Sequence, residues 1–165
     1  MKLAEDITAG SDIRKKIENM KKKRLVSKKI VALNDFRELK KTMQTRTILV
    51  VDDDETIRSA LKRMLEHENY RVLLAEDGIA LSKILESTRL DLILLDIKLP
   101  WVNGYELCRV IKSHHNLKNV PLIFVSACNA QDDIDKGYQS GCDDYVTKPF
   151  DIANITAKIN TLLIG

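Results

Sequence analysis

No apolar stretch of this chain approaches the roughly 20 residues that cross a bilayer as a helix. The opening Met1-Lys2-Leu3-Ala4-Glu5-Asp6 lacks the apolar core of a secretory signal. A cytoplasmic protein with no membrane span is therefore expected. Cysteine is scarce: Cys108, Cys128 and Cys142 are odd in number and show neither CxxC nor His-paired spacing. That argues against a disulfide framework or a zinc site and predicts reduced, mostly buried thiols without a chemical role. Glycine and proline are absent after Gly10 as far as Gln44, so nothing in that stretch stops a helix. Aromatic rings are thin there too, with Phe36 alone, and no helix-turn-helix turn is recognisable.

What is present is an ordinary soluble composition, 44% hydrophobic and 31% charged over 165 residues, enough for one domain with a real core plus an appendage. The charge is unevenly spread. Of 27 Lys and Arg and 24 Asp and Glu, residues 1–46 hold 14 and 6, leaving 13 and 18 for residues 47–165. Two units of opposite sign are expected, the basic one suited to an acidic surface of protein, nucleic acid or membrane. Ser11 or Asp12 can cap a helix, and an apolar stripe through Ile13, Ile17, Met20, Val26, Ile30, Leu33, Phe36, Leu39 and Met43 continues it. The stripe slips near Lys21-Lys22-Lys23-Arg24. A helix over 11–44 would be about 50 Å long at the usual rise, too long to lie flat on a small domain. It is read as a docking or dimerising helix, with nucleic-acid binding the less favoured use.

From Thr47 the pattern becomes short apolar runs alternating with amphipathic segments, the βα rhythm of a parallel sheet. Strands are predicted at 47–52, 70–75, 91–96, 120–125 and 143–147. The intervening helices are marked by Ile57, Ala60, Leu61, Met64 and Leu65, by Leu81, Ile84 and Leu85, by Leu107, Val110 and Ile111, and by Ile134 and Tyr138. A last helix follows Lys148-Pro149 with Ile152, Ile155, Ile159, Leu162 and Leu163 inward.

Right-handed crossovers make successive parallel strands point one way, so Asp52-Asp53-Asp54, Asp96, Ser126 and Lys148 should meet at one edge of the sheet. Ligands in open α/β sheets collect at that edge. Crowded carboxylates want a hard divalent cation, and Mg²⁺ takes one or two of them while keeping positions for a phosphoryl group. The bland reading is that one Asp caps the next helix while its neighbours are solvated.

Residues 47–165 resemble the receiver domain of two-component response regulators. Ile48-Leu49-Val50-Val51-Asp52-Asp53 resembles that family's first strand and acidic pair, and Leu92-Ile93-Leu94-Leu95-Asp96-Ile97-Lys98-Leu99-Pro100 with Asn103-Gly104 its phosphoacceptor strand and loop. Phe124-Val125-Ser126-Ala127 matches the hydroxyl position, and Asp144-Tyr145-Val146-Thr147-Lys148-Pro149-Phe150 the aromatic switch and Lys-Pro motif. The resemblance implies a flavodoxin-like, doubly wound five-stranded parallel sheet of order 2-1-3-4-5, preceded here by the N-terminal helical segment. It implies a phosphorylation-dependent switch rather than an enzyme. Asp96 would be the phosphoacceptor; Mg²⁺ would be held by Asp52, Asp53, Asp96 and the Lys98 carbonyl; Ser126 and Lys148 would bind phosphoryl oxygens. The Lys148-Pro149 bond would be cis, and Tyr145 would swing inward as Ser126 shifts. The donor would be a histidine kinase or a histidine phosphotransfer protein. Output would pass to a downstream effector over the last two helices, which could also form a homodimer.

Asn103 replaces the commoner acidic residue before the loop glycine, and Trp101 is a large group beside the site, expected to cover apolar surface. The rival enzyme reading casts Val51-Asp52-Asp53-Asp54-Glu55-Thr56 as the DxDxT signature of haloacid-dehalogenase-like phosphatases. It would leave Asp96 without a role and allow no room for a cap to exclude water. A DNA-binding regulator is also disfavoured, since a DNA-binding domain after the last helix is not expected.

Overall fold

The computed structural model describes residues 45–164 together with Glu18, Asn19 and Lys22. The chain divides between Gln44 and Thr45 into two units. Glu18, Asn19 and Lys22 are helical and exposed, and the rest of the helix expected over 11–44 lies outside the described residues.

The second unit runs β1 (Thr47–Val51), α1 (Glu55–His67), β2 (Arg71–Ala75), α2 (Gly78–Ser87), β3 (Leu92–Leu95), β4 (Lys98–Leu99), β5 (Val102–Asn103), α3 (Gly104–Ser113), β6 (Leu122–Ser126), α4 (Gln131–Gln139), β7 (Asp144–Thr147) and α5 (Ile152–Ile164). Five strands form one parallel sheet in the order β2-β1-β3-β6-β7, which is 2-1-3-4-5 among the long strands. The expected flavodoxin-like architecture is therefore present. β4 and β5, absent from the sequence expectation, form a small antiparallel ribbon just after Asp96.

Strand alternation builds two cores. Leu49, Val51, Ile93, Leu95 and Phe124 point to one face, where they meet Leu81 of α2 and Cys108 and Ile111 of α3. Ile48, Val50, Leu92, Leu94, Ile123 and Val125 point to the other, against Leu61 and Leu65 of α1 and Ile155 and Ile159 of α5. Central strands buried on both faces are continuous apolar runs rather than alternating ones, which is why 48–51 and 92–95 read so plainly. In register, Val51 pairs with both Ala75 and Leu95, and Ser126 with Thr147, so the strands end together and their following residues line one edge.

Val110 and Tyr138, among the apolar residues that mark α3 and α4, lie on their outer faces, 64% and 49% exposed. Strand starts also shift. Asp91 and Asp143, predicted as first strand residues, instead turn their carboxylates onto main-chain N–H groups: Asp91 Oδ2 accepts from Thr47 at 2.8 Å and Asp143 Oδ2 from Leu122 at 2.7 Å. Side chains thus take over the ladder where the sheet begins.

Candidate functional site

Asp52 and Asp53 follow β1 without a break, and Asp96 follows β3, which lies beside β1 in the sheet. One carboxylate oxygen from each lies within 4.8 Å of the others. Asp52 and Asp96 are buried, at 2% and 7% exposure. Asp53 is exposed, and its carboxylate has no hydrogen-bond partner among the described residues. Lys148, carried past β7 by a cis Lys148-Pro149 bond, reaches across to Asp52 Oδ2 at 2.7 Å and Asp96 Oδ2 at 3.0 Å.

Burial pushes the Asp52 carboxyl above its usual range, and the Lys148 and Asp54 hydrogen bonds oppose that rise without cancelling it. For Lys148 burial is the largest single influence and lowers the pKa, but the bonds and charges of Asp52 and Asp96 together outweigh it and hold the ammonium above its usual value. Three carboxylates facing one ammonium leave two negative charges uncompensated. Hard oxygen donors with a free, exposed carboxylate among them suit a small divalent cation, so the residues present fit Mg²⁺.

Asp54, third in the acidic run, faces elsewhere. It caps α1, its Oδ1 accepting from Thr56 N at 2.8 Å and Ile57 N at 3.3 Å. Those bonds hold its pKa below the usual value. A carboxyl kept ionised this way is ill suited to the general-acid role the DxDxT reading requires. Asn103 likewise caps α3, accepting from Tyr105 N at 2.9 Å, which is why an amide serves where an acid is commoner. Gly104 is required by contact: a Cβ there would stand 2.4 Å from Ile97 Cα, in the loop that carries Asp96.

Ser126 ends β6 fully buried, and its Oγ accepts from Cys128 N at 3.4 Å. Tyr145 on β7 is 7% exposed, with its hydroxyl donating to the Cys128 carbonyl at 2.6 Å. It is turned inward, packed on Phe124 with ring centroids 5.9 Å apart. The Lys98 main chain is close to the site as well, its N–H 3.3 Å from Asp96 Oδ1. Two of the three thiols are buried, and burial raises the pKa of Cys108, and that of Cys142 to about 12.

The sequence reading missed two residues around the acidic turn, Arg58 and Glu76, and a hydrogen bond made by Trp101. Arg58 of α1, 7% exposed, donates from Nη1 to the carbonyls of Asp52 and Asp53, both at 2.8 Å. Its Nη2 pairs with Glu76 at 3.0 Å. The Glu76 carbonyl in turn accepts from Trp101 Nε1 at 3.3 Å, so Trp101 does more than cover apolar surface. A signal for Arg58 was available. It shares a helical face with Leu61 and Leu65, where an arginine must find partners.

The strand order and the carboxylate cluster define a doubly wound α/β domain with a candidate cation site at the edge where its strands end. Residues 48–160 match the model of the response regulator receiver domain, and the chain belongs to that family. It is 41% identical over 117 residues to the response regulator ArlR of Staphylococcus saprophyticus, which covers 70% of this chain and 51% of that protein. Over 114 residues it is 40% identical to the CAI-1 autoinducer sensor kinase/phosphatase CqsS of Vibrio cholerae, covering 68% of this chain and 17% of that one. The chain therefore spans about half or less of these curated relatives. Among solved structures, it resembles the receiver domain of the sensor histidine kinase PA1611 from Pseudomonas aeruginosa, which holds a magnesium ion in its active-site cleft. The TM-score is 0.67 at 33% identity, over 73% of this chain and 99% of that one.

Proposed function

We propose that residues 47–165 form a phosphorylation-dependent signalling switch in which Asp96 accepts a phosphoryl group from a phosphohistidine of a histidine kinase or histidine phosphotransfer protein. The observation that carries the reading is the Asp96 carboxylate clustered with those of Asp52 and Asp53 and bridged to Asp52 by the Lys148 ammonium. An Asp96 oxygen bonds to phosphorus as the P–N bond of the donor breaks, and the departing imidazole nitrogen keeps the electron pair and takes a proton from water. Asp52, Asp53, Asp96 and the Lys98 carbonyl would hold Mg²⁺, which when bound would neutralise the charge that gathers there. Lys148 steadies one phosphoryl oxygen with its ammonium, and the Ser126 hydroxyl donates to another. The added charge of roughly −1.5 to −2 rebalances the loop that runs from Ser126 to Cys128, on which the Tyr145 hydroxyl rests.

On this reading the chain turns over no substrate of its own beyond taking and losing its phosphoryl group, works in the cytoplasm, and signals by contact with an effector protein. The basic segment 1–46 serves as a docking or dimerising helix. The test is Mg²⁺-dependent labelling by a small acyl phosphate. Label is expected on wild type as an acyl phosphate and should vanish in Asp96→Asn. Label that persists in that variant, or steady turnover of a generic phosphomonoester, would return the site to the phosphatase reading.

A further inference from the structure

Arg58 is the one buried cation near the acidic turn that touches none of its carboxylates among the described residues. Both of its contacts to Asp52 and Asp53 are to main-chain carbonyls, at 2.8 Å, and its charge is answered from outside by Glu76 at 3.0 Å. Consecutive carbonyls drawn to a single guanidinium nitrogen fix the peptide planes on either side of Asp53. With those planes fixed, the directions in which the Asp52 and Asp53 side chains leave the backbone are fixed as well. The turn is gripped from its other side by Asp52 Oδ1, which accepts from Asp54 N at 2.9 Å. Asp53 has nothing else to orient it: it is exposed, and no described residue bonds its carboxylate. Only an arginine can do this from the helix, since its planar fork bonds two carbonyls with one nitrogen and leaves a second nitrogen for a carboxylate.

We infer that Arg58 is a positioning residue for the divalent cation, holding the Asp52-Asp53 turn in ligating form with Glu76 as its anchor. This rests on the reading that the carboxylates bind Mg²⁺. Groups that orient metal ligands typically carry roughly 10- to 100-fold of metal affinity. The Glu76 carbonyl also holds the Trp101 indole, so the chain's single tryptophan sits one residue away from the clamp and can report on it.

The experiment titrates the full chain with magnesium chloride alone, reading Trp101 fluorescence and binding heat, and follows urea unfolding of every variant without metal. Arg58→Met keeps the length of the stem and removes every donor. It should raise the Mg²⁺ dissociation constant by roughly 10- to 100-fold, whereas Arg58→Lys, with one ammonium in place of the fork, falls between it and wild type. Glu76→Gln keeps a hydrogen-bond acceptor for Nη2 and should lie nearer wild type. Wild-type affinity in a cooperatively folding Arg58→Met would overturn the inference and leave Arg58 a packing residue, visible in stability alone. Should Arg58→Met fail to fold, Arg58→Lys decides the matter by the same comparison. If wild type itself binds no Mg²⁺, the reading of the carboxylates as a metal site fails instead.

Discussion

Lys148 touches two carboxylates at once, and that double contact decides how the site answers to mutation and to pH. Breaking a buried pair by removing one partner typically costs about 3 to 5 kcal/mol, because the charge left behind stays desolvated. The Lys148 side chain is 16% exposed, so Lys148→Met should sit at the low end, about 3 kcal/mol in urea unfolding without metal. Added Mg²⁺ should recover part of that loss, since a cation that binds only the folded carboxylates stabilises by mass action. The pH response follows from the directions of the shifts. Lys148 is raised above 10.5, so its contribution is fully present below that value and is lost as pH climbs through the folded pKa. Asp52 is raised above 3.8, so its ionisation destabilises the fold as pH rises from 3.8 through the folded value. Mg²⁺ needs the ionised form, and its affinity should therefore fall as pH is lowered through the same window. A Mg²⁺ titration repeated across acid pH checks the sign.

At this scale Asp52, Asp53, Asp96, Ser126 and Lys148 were legible because each stands just past an apolar run, where a parallel sheet gathers strand ends. Arg58 and Glu76 were not, because their chemistry is directed at main-chain carbonyls and at each other; the place of Arg58 on the Leu61-Leu65 face of α1 says that it needs partners without naming them. The inward Tyr145 was expected only as a consequence of phosphorylation, yet its ring is already packed on Phe124 here.

Among the elements, α4 shows what periodicity leaves out. Its N-cap is Ala130, which makes no side-chain cap bond, and its apolar face is narrow: Ile134 turns inward while Tyr138 is exposed. The gap on that face is Gly137, where a Cβ would stand 3.0 Å from Tyr145 Cδ2 and 3.3 Å from Phe124 Cδ2. The missing side chain is thus the room the Tyr145 ring occupies. Gly137→Ala should favour a Tyr145 ring withdrawn from Phe124, seen as loss of ring-to-ring contacts by NMR. Stability should change little, because the gain of about 1 kcal/mol in helix propensity offsets the tighter fit. A ring that stays in place would show that α4 moves instead. No sequence pattern could announce this, since a glycine within a helix reads only as a weakness. The exposure of Val110 and Tyr138 has the same origin: an apolar residue at a helical spacing shows which faces are possible, and packing against the sheet chooses among them.

For the molecule as a whole, the division between Gln44 and Thr45 falls within two residues of the boundary that the change in charge suggested. Among the described residues, the buried members of both cores of the second unit all lie at or beyond Ile48. Residues 45–165 should therefore fold alone and keep Mg²⁺-dependent labelling at Asp96, while losing whatever self-association or partner capture the basic segment provides. Sedimentation of the full chain and the truncated form, with and without beryllofluoride, would show it. If truncation removes only a steeply salt-dependent affinity for nucleic acid, the basic face was the purpose of the segment. The receiver fold was legible because five apolar runs each end at the same edge. The first segment offered only a charge and an apolar stripe, and apart from Glu18, Asn19 and Lys22 the helix expected from them lies outside the described residues.

The path between Ser126 and Tyr145 runs through the peptide groups of Cys128, whose N–H meets one hydroxyl and whose carbonyl meets the other. A relay made of main-chain atoms has no letter in the genetic code. Substitution can change the side chain at 128 without cutting the connection, so this part of the device is insulated from point mutation while the parts at either end are not. The same insulation leaves the half-buried thiol of Cys128 open to reporter chemistry, a place from which to watch the switch without holding it.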